Sequence, residues 1–316
     1  MVDFGKNSVT WLTVGEEEAG QRIDNFLFKR LKGVPKTHVY RILRSGEVRV
    51  NSRRAEAAYR VAAGDRLRIP PVRTARPQRT ERTPARPRLA PSVIYQDEAL
   101  LVLDKPSGWA VHGGSGVSLG VVEQLRAEHP EWKFLELVHR LDRETSGVLL
   151  LARKRAALLE LHRQLREGET EKVYLVLVKG RWRGNLRNVR LPLEKRLGAA
   201  GEKKVRVSEA GQAAHTVFRL QRAWREFSLL EAELRTGRTH QIRVHLSHLG
   251  YPIAGDDRYG DFDLNKALAR QGLKRMFLHA RRMVLRHPVS GERLALEAPL
   301  PADLQSFIQS LDAEAV

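Results

Sequence analysis

Residues 70–91 read "PPVRTARPQRTERTPARPRLAP", a stretch with six prolines and six arginines and few apolar side chains. Proline fixes φ and removes a backbone donor, and the arginines hold the chain in water, so this stretch can neither enter a sheet interior nor bury a face. It is predicted to be a linker over 71–91. Extended, it would span about 65 Å at the polyproline rise of ~3.1 Å per residue. The chain must therefore fold as separate bodies on either side. The sequence divides into an N-terminal extension (1–19), a small domain (20–70), the linker, and a large domain (92–316).

Charge follows the same division. Of the formal net charge of +19, residues 20–91 carry +14, from 19 Lys/Arg against 5 Asp/Glu. Residues 1–19 are acidic, at −3. A concentration of positive charge in a small front module favours a polyanionic partner, through attraction to phosphates and release of their counterions. Nucleic acid is the expected partner.

Several classes are excluded. With no cysteine there is no disulfide, no thiolate nucleophile and no cysteine-ligated metal. The first twenty residues have no apolar core of signal-peptide length, and "VLLLA" is among the longest apolar runs. A cytoplasmic protein without membrane attachment is expected. No phosphate-binding G-x-x-x-x-G-K-[ST], no dinucleotide G-x-G-x-x-G after a strand and no H-E-x-x-H occurs. "HGGSGVSLG" (112–120) reads as a flexible loop. The spacing of His240 and His245 does not suit a metal site.

The small domain has a readable order. In "QRIDNFLFKRLKG", Ile23, Phe26, Leu27 and Leu31 recur at helical spacing. In "VPKTHVYRILRSG", Pro35 opens a second helix with Val39, Ile42 and Leu43 as its apolar stripe. Thr37, Arg41 and Arg44 fall on the opposite face, with Lys36 at the flank. "EVRVN" and "DRLRIP" alternate as short strands.

The large domain mixes strands and helices. "SVIYQDEALLVLDKP" predicts two strands around a turn, and "KRAALLELHRQLREG" a helix with Leu158, Leu161 and Leu165 inward. "KVYLVLVKGRW" is a nearly continuous apolar strand, hence covered on both faces. "EFSLLEAEL" and "MVLRHPVSGERLALEAP" suggest antiparallel hairpins. The predicted class is α+β, built on a largely antiparallel sheet.

A cofactor-free enzyme acting on nucleic acid needs acid–base or nucleophilic side chains. Two clusters can supply them, "HRLDRETSG" and "LRTGRTHQIRVHLSHLG". In the second, Thr239 is placed to cap a helix whose inner stripe is Ile242, Leu246 and Leu249, ended by Gly250. Arg243 lies off that stripe, where it can reach a carboxylate in a nearby loop. Two other readings fit the basic charge: an RNA-binding assembly protein without catalysis, and a metal-free ribonuclease using His240 and His245.

"RIDNFL", "RILRSGEVRVN" and "VAAGDRLRI" resemble the S4 RNA-binding domain over most of 20–70. "LDKPSGWAVH", "VHRLDRETSGVLLLARK", "EKVYLVLVKG" and "TGRTHQIRVHLSHLGYPIAGDDRYG" resemble the RluA-type pseudouridine synthases over most of 92–300. The resemblance implies a synthase domain with a largely antiparallel mixed sheet behind an αα-ββ RNA-binding module. It implies isomerisation of uridines in 23S ribosomal RNA, or its large-subunit precursor, to pseudouridine. No cofactor, metal or membrane is called for, and a monomer is expected.

The resemblance also assigns residues. Asp142, the acid of H-R-L-D, is the catalytic carboxylate, as nucleophile or as base on the sugar. Arg140 is expected to fill the space of a flipped base and contact phosphate. Tyr174 stacks on the base, Arg243 pairs with the aspartate, and Leu278 lines the base pocket. Lys36, Thr37, Arg41, Arg44, Asn51 and Arg53 are the expected RNA-facing residues of the small domain.

Overall fold

The computed structural model describes residues 8–31, 33–72, 91–113, 119–197 and 203–314. Nearly all of the expected linker, and residues 114–118 of the glycine-rich loop, lie outside the described residues. The chain forms two compact units, residues 1–88 and 89–316.

The first unit runs β1 (Thr10–Thr13), α1 (Ile23–Arg30), α2 (Lys36–Arg44), β2 (Arg49–Val50), β3 (Arg53–Arg54) and β4 (Arg66–Ile69). Its sheet has the order β1-β4-β2-β3. Ile23, Phe26, Leu27, Val39, Ile42 and Leu43 from the helices pack on Val50, Leu67 and Ile69 from the strands. The expected order of two helices and then strands is present. One boundary differs. Thr10–Thr13 of the expected extension pairs antiparallel with Arg66–Ile69, and Leu12 and Val14 join the core. The acidic cluster Glu16–Glu18 hid this strand, whose only buried residue is Leu12, with Val14 just beyond it.

The second unit runs β5 (Ser92–Gln96), β6 (Leu100–Lys105), α3 (Val121–Glu128), β7 (Glu136–Leu137), β8 (Ser146–Ala152), α4 (Arg155–Glu167), β9 (Glu171–Lys179), β10 (Leu186–Val189), β11 (Leu193–Leu197), β12 (Lys203–Val207), β13 (Thr216–Ala223), β14 (Phe227–Leu234), α5 (Gln241–His248), α6 (Phe262–Arg270), β15 (Leu278–Arg286), β16 (Arg293–Glu297) and α7 (Ala302–Glu314). The main sheet has the order β10-β13-β14-β9-β15-β8-β6-β5, with β16 on β15 and β7 on β8. All its pairings are antiparallel except β8 with β15. β11 and β12 form a separate hairpin.

Burial explains the apolar runs. All seven residues of β8 are buried, so "SGVLLLA" is a central strand covered on both faces. In β9, Tyr174, Val176 and Val178 belong to one core and Leu175 and Leu177 to another. That period-two split assigns Tyr174 to the same face as Leu149, Leu151, Leu278 and Ala280. Ile242 and Leu246 of α5 pack on that face. The sheet thus brings the strand after H-R-L-D and the helix of "HQIRVH" to one side.

Candidate active site

Asp142 sits in the turn that leads into β8. That turn is tied to the loop after β6 by a set of hydrogen bonds, most of them half-buried. Lys105 Nζ donates to the carbonyls of Pro106 (2.8 Å), Trp109 (2.9 Å) and Arg143 (3.0 Å). Gly108 N–H donates to the Arg143 carbonyl, and Arg143 Nε returns to the Gly108 carbonyl, both at 2.9 Å. Ser107 Oγ donates to the Glu144 carbonyl at 2.8 Å. Lys105 is 0% exposed. Burial dominates its titration and brings the ammonium down to about 7, against the charges of Glu144, Asp142 and Asp104.

At the other end of the turn, the chain passes under β15. Gly147 has φ +107, and a Cβ there would sit 2.2 Å from the Ala280 carbonyl oxygen. Only glycine lets β8 and β15 pair in parallel at this point. Ser146 is held by Arg275 Nη2 at 2.6 Å and by His279 at 3.0 Å. The Asp142 turn is therefore fixed at both ends.

Arg243 reaches the turn from α5. Its Nη1 donates to Asp142 Oδ2 at 3.1 Å. Its Nε and Nη2 donate to Asp256 Oδ2 and Oδ1 at 2.8 and 2.7 Å, a bidentate pair. Asp256 is fully buried, and its Oδ1 also accepts the N–H groups of Arg258 (2.9 Å) and Tyr259 (3.0 Å). Burial opposes charge on Asp256, but Arg243 and these donors outweigh it and hold the carboxyl below its usual range. Burial likewise opposes the charge on Arg243, and the two carboxylates push its pKa well above normal.

His240 occupies the N-cap of α5 with φ 53, a left-handed conformation uncommon outside glycine. The expected cap was Thr239; the αL residue is one position later, because the Gln241 side chain secures the turn instead. It accepts from Thr236 Oγ1 and Arg238 N–H, and donates to the His215 carbonyl and Thr216. The His240 ring stands with Nε2 3.7 Å from Asp142 Oδ1 and Nδ1 2.9 Å from Tyr259 Oη. Tyr259 Oη also accepts Val205 N–H from β12 at 3.2 Å. Burial, partly offset by Asp142, lowers the His240 pKa.

The expected residues fall into three groups. Asp142, Arg243 and Tyr174 are brought together: Tyr174 is 8% exposed, and burial, with the negative charge of Asp142, raises its phenol pKa. Leu278 is packed in the same core as Tyr174 and is 4% exposed, so it supports the tyrosine from within. Arg140 is exposed on the loop two residues before Asp142. In the first unit, Lys36, Thr37, Arg41, Arg44 and Arg53 are exposed. Asn51 is exposed as well, but its side chain is used internally, donating to Asp65 at 2.8 Å and accepting from Arg66 N–H at 2.9 Å across a φ 48 turn. Arg41 pairs with Glu47 at 3.2 Å.

The histidines separate by environment. His245 is 0% exposed, between Thr216 (3.0 Å) and the Leu191 carbonyl (2.9 Å). It cannot touch RNA, which removes the ribonuclease pair. Asp256, Tyr259, Lys105 and the site role of His240 were missed from the sequence. "GDDRYG" looks like a solvated loop, and only a buried arginine a turn into the preceding helix could have signalled that it needs a carboxylate. Among the described residues, no group of three or more His, Asp or Glu could hold a metal ion, and no helix is long and apolar enough to cross a membrane.

Residues 99–248 match the family model described as RNA pseudouridylate synthase, and residues 21–67 match the S4 domain. The chain is 51% identical over 309 residues to ribosomal large subunit pseudouridine synthase C of Salmonella typhimurium, covering 96% of this chain and 97% of that one. It is 48% identical to the protein of the same name from Pasteurella multocida, over 96% and 94% of the two chains. Among solved structures, human RNA pseudouridylate synthase domain containing 4 superposes with a TM-score of 0.57 at 28% identity, covering 70% of this chain and 92% of that one.

Proposed function

Because the chain belongs to the RNA pseudouridylate synthase family, and so isomerises uridine in RNA to pseudouridine, we propose that its substrate is 23S ribosomal RNA and that Asp142 carries the chemistry. The relatives named for the ribosomal large subunit, at about half identity over nearly the whole chain, support the substrate. The paired Arg243 and Asp142 support the residue. With that substrate goes a cytoplasmic location.

The reaction breaks the bond from C1′ of the ribose to N1 of uracil and forms a bond from C1′ to C5. The C5 proton is released and N1 gains one, so no electrons are exchanged and no redox cofactor is called for. Asp142 acts either by attacking C1′ or by taking a proton from the sugar. Both modes need one oxygen held and one free. Arg243 holds Oδ2, and Oδ1 remains for the substrate.

His240 suits a role beside that free oxygen. With Val205 N–H donating into Tyr259 Oη, the phenol O–H is left to donate to His240 Nδ1. The ring proton then resides on Nε2, the nitrogen facing Asp142 Oδ1. A neutral histidine there stands 3.7 Å from Oδ1, just beyond hydrogen-bond distance, and comes into reach of the carboxylate with a small movement without supplying a competing charge. Tyr174, with its pKa raised, stays a neutral phenol and serves as a stacking surface for the base.

The basic front unit supplies affinity for RNA, and Arg140 is exposed to meet it. The test is to map pseudouridines in 23S ribosomal RNA from cells with and without the protein. Loss of defined pseudouridines, restored by the wild-type chain, is expected; an unchanged map removes 23S ribosomal RNA as substrate.

A further inference from the structure

We propose that the outer face of the first unit's sheet is a second RNA-binding surface, which stacks a base of single-stranded RNA on Trp11 and engages its phosphates with Arg49, Arg54, Arg66 and Arg68. The proposal deepens the reading above and rests on its RNA substrate.

The register carries it. Trp11 of β1 lies opposite Arg68 of β4, Arg68 opposite Arg49 of β2, and Arg49 opposite Arg54 of β3. One tryptophan and three arginines are thus aligned in register across all four strands. Directly opposed residues share a face. The alternate positions Leu12, Val50, Leu67 and Ile69 are buried on the other face, beneath α1 and α2. Arg66, two residues before Arg68, adds a fourth arginine to the outer face, with its guanidinium 5.4 Å from the Trp11 ring centre.

Such a row is costly in a protein standing alone. Like charges directly opposite on a sheet destabilise it. Among the described residues none of these four arginines has an acidic partner in an ion pair. Arg68 Nη1 donates to the Glu47 carbonyl at 3.0 Å, while the Glu47 carboxylate is taken by Arg41 at 3.2 Å and Ser45 at 2.7 Å. Trp11 is 50% exposed, although the Arg66 guanidinium lies over its ring. An RNA strand relieves both costs: phosphates neutralise the arginines, and a base covers the indole.

The arrangement also suits a strand rather than a duplex. Four strands spaced ~4.8 Å apart make a row of about 14 Å with an aromatic residue at its edge. A stacked base must be free of its neighbours to meet Trp11. Arg41 and Arg44 of α2 are exposed as well, and α2 packs on the other face of the sheet, so the unit offers RNA two separate faces.

The test uses the full chain with an oligouridine strand and with naked 23S ribosomal RNA, titrated at several salt concentrations. Replacing Trp11 by Ala is expected to weaken binding at least ~5-fold, and Trp11→Phe to restore most of it. The double variant Arg49→Ala/Arg54→Ala is expected to lower the slope of log K against log salt by about 1.4, at ~0.7 per phosphate contact. That variant is expected to melt no lower than wild type, since it removes like-charge repulsion. Unchanged affinity and salt slope in folded variants overturn the proposal. So does a loss seen only with assembled large subunits and not with naked RNA, which would assign the face to a protein partner. If the variants bind normally while wild type still isomerises RNA, only this proposal fails. If wild type neither binds nor modifies 23S ribosomal RNA, the substrate reading fails with it.

Discussion

Arg243 joins Asp142 across 101 residues of sequence with a single hydrogen bond, Nη1 to Oδ2 at 3.1 Å. Its remaining nitrogens are spent on Asp256, which is fully buried and never meets substrate. The arginine is thus anchored by one carboxylate so that it can orient another. The Asp142 side chain is 27% exposed, and its second oxygen, Oδ1, lies 3.7 Å from His240 Nε2.

If Asp256 is the anchor, Asp256→Asn loses stability and precision together. Removing one partner of a buried ion pair costs about 3 kcal/mol, read as a shift in urea midpoint. Single-turnover isomerisation should slow at saturating RNA with little change in RNA affinity. Arg243→Lys should slow it as well, because a lysine cannot span two carboxylates. A variant that is less stable yet isomerises at the wild-type rate contradicts the clamp.

The His240 assignment separates two amides. Asparagine tolerates the left-handed backbone at this position better than glutamine does, so a purely conformational role favours His240→Asn. Glutamine carries its amide NH₂ about as far out as Nε2, so a role through Asp142 favours His240→Gln. The expected order of single-turnover rates is wild type, then Gln, then Asn, with Tyr259→Phe also slowed. The ring tautomer is checked by nitrogen NMR, which should show the proton on Nε2. Asn matching or exceeding Gln would falsify the assignment.

Lys105 makes stability pH-dependent in an unusual direction. Its pKa is about 7 in the folded chain against 10.5 as the ordinary value. Between these values the unfolded chain holds a proton the folded chain has released, so raising pH favours folding through that window. Below pH 7 the buried charge remains and its cost is fully present. Relative to Lys105→Met, wild type should gain about 2 kcal/mol between pH 7 and 9, from a limit of ~1.36 kcal/mol per pH unit. Urea unfolding of both proteins at the two pH values measures it, and a pH-independent difference refutes it.

The parallel contact of β8 with β15 predicts a contrast between two glycines. Gly147→Ala meets both a φ of +107 and the Ala280 carbonyl at 2.2 Å. Strain and overpacking together should cost ~4 kcal/mol. Gly250 has φ +82 and open space around its missing Cβ, so Gly250→Ala should cost only ~1 kcal/mol, from strain alone. Comparable thermal shifts in the two variants would contradict the close approach at Gly147.

Much of this arrangement was legible in the sequence because it is periodic or local. Helical spacing revealed α1, α2 and α4, and a continuous apolar run revealed β9, since burial on both faces leaves no alternation to misread. Asp142 and Arg243 stood out through their motifs. What stayed hidden depends on contacts between distant segments. Asp256 and Tyr259 lie in a charged loop whose burial only the folded α5 creates, and Lys105 looks solvated until its three carbonyl partners converge. The strand at Thr10–Thr13 has one buried residue, Leu12, too few for a pattern. Asn51 is exposed, but its amide also bonds Asp65 and Arg66, contacts across 14 and 15 residues that no local pattern shows.

The central claim is that Asp142 carries the isomerisation. The direct measurement is tritium release from 5-tritiated uridine in 23S ribosomal RNA, with wild type and Asp142→Asn compared under turnover. Wild type should release tritium in step with pseudouridine formation. Asp142→Asn should bind the RNA with similar affinity and release at least ~10³-fold more slowly, as expected when an acid–base or nucleophilic group is removed. Release by Asp142→Asn near the wild-type rate would take Asp142 out of the mechanism.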